Sequence, residues 1–300
     1  MPAEGITYLP RKEILTFEEI ERLITVLAGM GVTKVRLTGG EPFVRADLMK
    51  LIRRTVEIPG VRDLHITTNG ILTGHHIPEL KTLGIASVNL SLDTLDRERF
   101  KLITLRDEFV NTYNTLHQLL DHGIPVKINA VVMEGKNTED IIPMVKLTRD
   151  HPLSVRFIEE MPFNGQGNHY PKLIWTYKKI LGHIQQHFPL IQKLPDEPNA
   201  TASTYKVNGY KGDIGIIAAF SRTFCGTCNR IRVTAQGTLK TCLYDDGVLD
   251  IKSLMRSGVG DVELTMKLAA AFQNRAVNGF EAERMRKVAS IHESMSTIGG

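Results

Sequence analysis

The chain has 300 residues, of which 42% are hydrophobic, 23% charged and 6% aromatic, a mixture that excludes a disordered, collagen-like or disulfide-scaffold protein. Thirty-seven Lys and Arg against 33 Asp and Glu give a net charge of +4 spread along the chain, which favours an anionic small ligand over a nucleic-acid groove. No stretch approaches the ~20 apolar residues of a membrane span and residues 1–5 have no signal-peptide character, so the chain reads as cytoplasmic.

Thr16-Phe17-Glu18-Glu19 is a capping box, and Ile20, Leu23, Ile24 and Leu27 follow it at helical spacing; Gly31 closes this first helix. Residues 34–38 then read as a strand, with further β-rich runs at 64–67, 87–92, 126–132 and 155–158. Helical stretches at 77–83, 112–120 and 140–149 alternate with them, and repeated βα order implies a parallel sheet. Past residue 162 the pattern changes to a helix at 173–187 and a linker at 193–204. A hairpin built from 205–208 and 214–219 follows, with a last long helix at 264–275.

Alternate strand residues face opposite sides of a sheet. That parity puts Val35 and Leu37 on one face and Arg36 and Thr38 on the other. It also groups His65 with Thr67, Asn89 with Ser91 and Asp93, and Lys127 with Asn129, and it adds Arg156. Five successive strands thus carry a polar face near their C-terminal ends. An open sheet covered on both sides would bury those groups at a cost, whereas a barrel-like sheet with a polar ligand at its mouth accounts for them. Thr38-Gly39-Gly40-Glu41-Pro42, Thr67-Thr68-Asn69-Gly70 and Ser91-Leu92-Asp93 end three of the strands in the same polar way. The paired glycines allow close backbone approach, and Glu41 offers a carboxylate for an ammonium group.

Only three cysteines are present: Cys225, Cys228 and, after thirteen intervening residues, Cys242. An odd, clustered set without a secretory signal points to a metal site rather than to disulfides. An iron–sulfur cluster with one open iron, a zinc ion with a distant fourth ligand, and free thiols all fit that spacing, since no histidine lies between His187 and His292. Arg230 and Arg232, alternating just beyond the pair, could clamp a phosphate.

These residues resemble the GTP 3′,8-cyclases, radical S-adenosylmethionine (SAM) enzymes of molybdenum cofactor biosynthesis. The likeness rests on 36–42, 67–70, 89–93, Arg156-Phe157-Ile158-Glu159 with Met161, the cysteine triplet and the terminal Gly299-Gly300. It implies an α/β fold, an incomplete β/α (TIM-like) radical SAM barrel at 1–190 and a C-terminal cluster-binding extension at 191–300. It implies SAM contacts at Gly40, Ser91 and Met161, with Glu41 beside them. GTP contacts are implied at Arg36, Thr67, Lys127, Arg230, Ile231 and Arg232, with Arg156 a further candidate. Cys225, Cys228 and Cys242 would hold a substrate-side 4Fe–4S cluster. An electron donor, the next enzyme of the molybdopterin pathway and a second copy of the chain are the implied partners. The family's Cys-x3-Cys-x2-Cys loop, which binds the radical-generating cluster, has no counterpart here, and Met1-Pro2 matches the residues just after it. The expectation is therefore a cyclase without its N-terminal segment, the alternative a non-catalytic iron–sulfur or GTP-binding protein.

Overall fold

The computed structural model describes residues 9–163, 173–287 and 293–298. In chain order, α1 (Phe17–Gly29) leads into β1 (Lys34–Leu37), α2 (Leu48–Glu57) and β2 (Asp63–Thr68). The alternation continues with α3 (Ile77–Thr82), β3 (Ser87–Ser91), α4 (Arg97–Thr104), α5 (Phe109–Asp121), β4 (Val126–Val132), α6 (Ile141–Asp150) and β5 (Ser154–Glu159). Next come α7 (Tyr177–His187), β6 (Gln192–Lys193), β7 (Ala202–Lys206), β8 (Asp213–Ile217) and a 3-10 turn at Cys225–Thr227. The last elements are β9 (Arg232–Val233), β10 (Thr238–Lys240), β11 (Leu249–Asp250), α8 (Ile251–Arg256), α9 (Asp261–Gln273), α10 (Gly279–Arg284) and α11 (Met295–Ile298). Among the described residues no helix is long and apolar enough to cross a membrane.

The described residues fall into two compact units. The first comprises 66–162 and 173–228. Its strands run in the order β2-β3-β4-β5-β8-β7-β6, with β3, β4, β5 and β8 mutually parallel and β7 antiparallel to β8 and β6. Alternation decides what each strand buries. Val126, Ile128, Ala130 and Val132 of β4 and Val155 and Phe157 of β5 are buried, while Lys127, Asn129 and Arg156 are only half-buried. Leu116 and Leu119 of α5, Ile141 and Val145 of α6, and Ile180 and Ile184 of α7 are buried as well. Each such side chain contributes roughly 1.5–3 kcal/mol relative to exposure.

The hairpin foreseen from 205–208 and 214–219 exists as β7 and β8. β8 is also hydrogen-bonded in parallel to β5, with Val155 opposite Ile214 and Phe157 opposite Ile216, so the hairpin extends the main sheet. The helix foreseen from residue 173 starts at Tyr177, because Thr176 caps it by accepting the Lys179 amide.

The second unit holds 9–65, Phe163, 229–287 and 293–298. Its first helix begins at the capping box: the Thr16 amide donates to Glu19 Oε2 at 2.8 Å and the Glu19 amide to Thr16 Oγ1 at 3.2 Å. Leu23 and Leu27 of α1 pack with Leu239, Ile251, Met255, Leu264 and Leu268, whereas Ile24 and Ala28 meet Ile58. β1 lies beside β2, whose first three residues belong to this unit, and β9, β10 and β11 form a small antiparallel sheet.

Candidate functional site

In the first unit the parallel register lines up the polar residues. Asn89, Lys127 and Ser154 are successive Cα partners; two residues further on, so are Ser91, Asn129, Arg156 and Gly215. Neighbouring strands are ~4.8 Å apart, so each row presents adjacent polar groups across three strands. Gly215 leaves space for its neighbour: a Cβ there would come within 3.1 Å of Arg156 Cγ.

Asn89 is 1% exposed, and among the described residues neither Nδ2 nor Oδ1 has a hydrogen-bond partner; Oδ1 of Asn129 is buried and without one there too. An unsatisfied buried polar atom costs roughly 1–3 kcal/mol, so each of these atoms would gain from a polar partner.

The strand ends are fixed by side chains. Asp93 Oδ1 accepts the Val131 amide at 2.8 Å. Asn137 donates Nδ2 to the carbonyls of Asp93 and Val131 and accepts the Met133 amide, tying the ends of β3 and β4 together. Burial, opposed by the Val131 hydrogen bond, pushes the Asp93 carboxyl up to about 6. After β2, the Thr68 hydroxyl accepts the Gly70 amide and Asn69 Oδ1 the Ile71 amide, while Thr112 and Thr115 of α5 donate to the Asn69 and Gly70 carbonyls. Gly70 has φ +82°, and a Cβ there would meet Leu90 Cδ1 at 2.7 Å, so Thr68, Asn69 and Gly70 shape the turn. Thr67 is buried, and Ser91 lies exposed at the end of β3. Half-buried Met161 follows β5 beside Glu160, whose carboxyl burial raises, opposed by Lys136.

Cys225 opens the 3-10 turn of this unit and Cys228 follows it, both half-buried and neither in a disulfide. The residues before them are held by Glu159, which is fully buried at the end of β5. Its carboxylate accepts the amides of Tyr177, Phe220 and Ser221 and the Ser221 hydroxyl at 2.7–3.0 Å.

In the second unit Arg36 is exposed on β1 and Gly40 is exposed beyond it. Glu41 accepts the Phe43 amide at 3.1 Å, so its carboxylate also serves as a local cap. Arg230 and Arg232 are half-buried, and Arg232 pairs with Lys240 across β9 and β10. Ile231, between them, is partly buried and packs on the apolar cluster that includes residues of α1 and α9. Cys242 is half-buried and not in a disulfide, and its amide donates to Asp245 Oδ2 at 2.8 Å. Among the described residues no three His, Cys, Asp or Glu side chains gather to hold a metal ion. Gly299 and Gly300 lie outside the described residues.

Glu159, Asn137 and Asp245 went unremarked as positioning groups in the sequence. Asp245-Asp246-Gly247 is a turn signature that could have revealed the last; Glu159 acts through contacts 18 to 62 residues away, and Asn137 combines two contacts within six residues with one to Asp93, 44 residues upstream.

Residues 3–148 match the Radical SAM superfamily and 153–280 match Molybdenum Cofactor Synthesis C. The structure of Streptococcus suis SuiB bound to S-adenosylmethionine superposes with TM-score 0.57 at 17% identity, covering 78% of this chain and 55% of that one. The parallel sheet, its polar strand ends and these likenesses define a radical SAM α/β fold.

The GTP 3′,8-cyclase of Moorella thermoacetica is 39% identical, with 100% of this chain and 92% of that one covered. The mitochondrial GTP 3′,8-cyclase of Arabidopsis thaliana is 37% identical over 92% of this chain and 70% of that one. The chain belongs to the GTP 3′,8-cyclase family. Molybdenum cofactor biosynthesis protein 1 of Bos taurus is 39% identical over 90% of this chain, which spans 43% of that protein's length.

Proposed function

We propose that this protein is an enzyme that converts GTP to 3′,8-cyclo-7,8-dihydro-GTP by radical SAM chemistry, the first step of molybdenum cofactor biosynthesis. The observation that carries this reading is the pair of polar rows across β3, β4 and β5, where the Asn89 amide and Asn129 Oδ1 are buried without a partner among the described residues of a chain of this family. SAM, reduced by an iron–sulfur cluster, supplies the radical for such a reaction. The chain's own residues bind and orient. Gly40, Ser91 and Met161 are assigned to SAM. Arg36, Thr67, Lys127, Arg230, the Ile231 backbone and Arg232 are assigned to GTP, with Arg156 as a further cation. A triphosphate needs several fixed cations, and here strands supply them in place of a glycine-rich phosphate loop. Cys225, Cys228 and Cys242, the three cysteines of the sequence, are assigned to a 4Fe–4S cluster, because thiolates are the soft donors iron–sulfur centres take. The barrel portion is assigned to 1–190 and the cluster-bearing extension to 191–300.

Anaerobic iron and sulfide analysis, with calorimetry against GTP and ATP, tests the assignment. One oxygen-sensitive 4Fe–4S cluster at the triplet and a clear preference for GTP are expected. Stoichiometric zinc without iron would remove the cluster, and equal affinity for the two nucleotides would remove the substrate. The cyclised product, with 5′-deoxyadenosine beside it, is sought by mass spectrometry in protein isolated from its native source.

A further inference from the structure

Two cations are buried beside Cys242. The side chain of Lys240, two residues before the cysteine on β10, is 1% exposed, and that of Arg286, just past α10, is 4% exposed. Both meet one carboxylate. Lys240 Nζ donates to Glu293 Oε1 at 2.7 Å and Oε2 at 2.9 Å, and Arg286 Nη1 reaches Oε2 at 3.4 Å. The same Arg286 nitrogen donates to the carbonyls of Tyr244 and Asp245, both at 3.2 Å. Inside the turn, the Asp245 carboxylate accepts the amides of Thr241, Cys242 and Gly247 at 2.8–2.9 Å. The cysteine turn is thus gripped twice. Asp245 collects its amides from within, and Arg286 holds its carbonyls from without.

Glu293 closes the outer grip. It links the strand before the cysteine, through Lys240, to the carbonyls after it, through Arg286. The segment carrying Glu293 is itself fastened, because the Met295 amide donates to the Phe163 carbonyl at 3.2 Å and Ile298 is buried. A buried cation that loses its counter-charge is strongly destabilised where it stands, so removing the Glu293 charge forces Lys240 to move and takes one contact from Arg286. Either change reaches the turn, directly along β10 or through the two carbonyls.

We propose that Glu293 is a positioning residue for Cys242: the segment entering the last helix is an arm of the cysteine site and sets the conformation in which that thiol is presented. The functional weight of this inference rests on the reading of Cys242 as a cluster thiol, but the geometry does not, and its test needs no bound cluster.

The metal-free protein is pulsed with a maleimide and the labelling of each cysteine is read by mass spectrometry. In Glu293→Gln, Cys242 is expected to label at least about tenfold faster than in the parent, with Cys225 and Cys228 unchanged. Glu293→Asp, which keeps the charge, should stay within about threefold of the parent. If Glu293→Gln does not fold, Lys240→Met/Glu293→Gln is used: it leaves no uncompensated lysine but still cuts Arg286 from the carboxylate, so a rise confined to Cys242, smaller than in the single variant, is expected. Parent-like labelling of Cys242 in the folded variant overturns the proposal, and so does an equal rise at all three cysteines. Iron content after reconstitution is a separate measurement: absence of iron from the parent would sink the cluster reading and leave the labelling result standing.

Discussion

The Glu159 carboxylate grips Ser221 twice, accepting its backbone amide at 2.7 Å and its hydroxyl at 2.8 Å. With Phe220 and Tyr177 also bonded, one buried anion joins the end of β5, the start of α7 and the approach to Cys225. Such an anion fixes the loop from inside, where Ala218 and Ala219 are already buried.

Glu159→Ala should therefore be costly. Hydrogen bonds to a charged group contribute roughly 1.5–3 kcal/mol each, and loss of the acceptor leaves buried amides unpaired. The expected loss is about 3 kcal/mol or more, read as a fall in the urea midpoint. Glu159→Gln should lose less, since one oxygen remains to accept. A variant as stable as the parent would mean that water replaces the carboxylate.

Asn89→Leu tests the polar row from the other side. Because both amide atoms are buried without partners, an apolar side chain of similar size should raise the stability of the ligand-free protein by about 1 kcal/mol. The same change should abolish most of the stabilisation that SAM or GTP gives. Thermal melts with and without each ligand measure both effects. A destabilised ligand-free variant would show that Asn89 is satisfied in solution.

Asp93 gives the protein a pH signature. Burial raises its folded-state carboxyl from an ordinary value near 3.8 to about 6. Between those values the unfolded chain has released the proton and the folded chain retains it. Stability therefore falls as pH rises through this window and stays lower above it. From pH 4.5 to 7 the contribution amounts to about 2 kcal/mol. In Asp93→Asn, which can still accept the Val131 amide, that part of the slope should vanish. Urea titrations at the two pH values check it, and parallel profiles for parent and variant would refute the assignment.

Arg230→Ala and Arg232→Ala should each weaken GTP binding about tenfold or more, since a charge-assisted contact is worth roughly 1.5–3 kcal/mol. Ile231→Val should leave it within about threefold, because that side chain belongs to the apolar cluster. Calorimetry at fixed ionic strength distinguishes these outcomes; unchanged affinity in both arginine variants would take them out of the site.

Much of the sheet was legible because parity is a strong rule wherever one face is apolar. β4 occupies the expected 126–132, with Lys127 and Asn129 on the half-buried side. The capping box of α1 was legible because all its partners lie within four residues. What escaped reading depends on distance. Nothing near Glu159 in the sequence announces that residues 220 and 221 return to it. Nothing in Thr238-Leu239-Lys240 says that the lysine turns inward, since its counter-charge arrives 53 residues later. The attachment of β8 to β5 was hidden for the same reason: a hairpin is a local signal, and its second partner strand lies 59 residues upstream, Ser154 against Asp213.

The outermost strand β6 has only two residues, both exposed, and Leu194 adds one more bond to β7 through the Thr204 carbonyl. Pro195 follows, without an amide hydrogen, and Asp196 turns its carboxylate back onto the Thr204 amide. A margin this short, carrying a lysine, a proline and an acid, offers no template on which another backbone could continue the ladder. Fibrillar growth and strand-swapped pairing are thereby blocked along that border. Recognition on this flank falls instead to side chains, such as Asp196, Glu197, Asn199 and Thr201, which line a cavity of about 340 Å³ beside it.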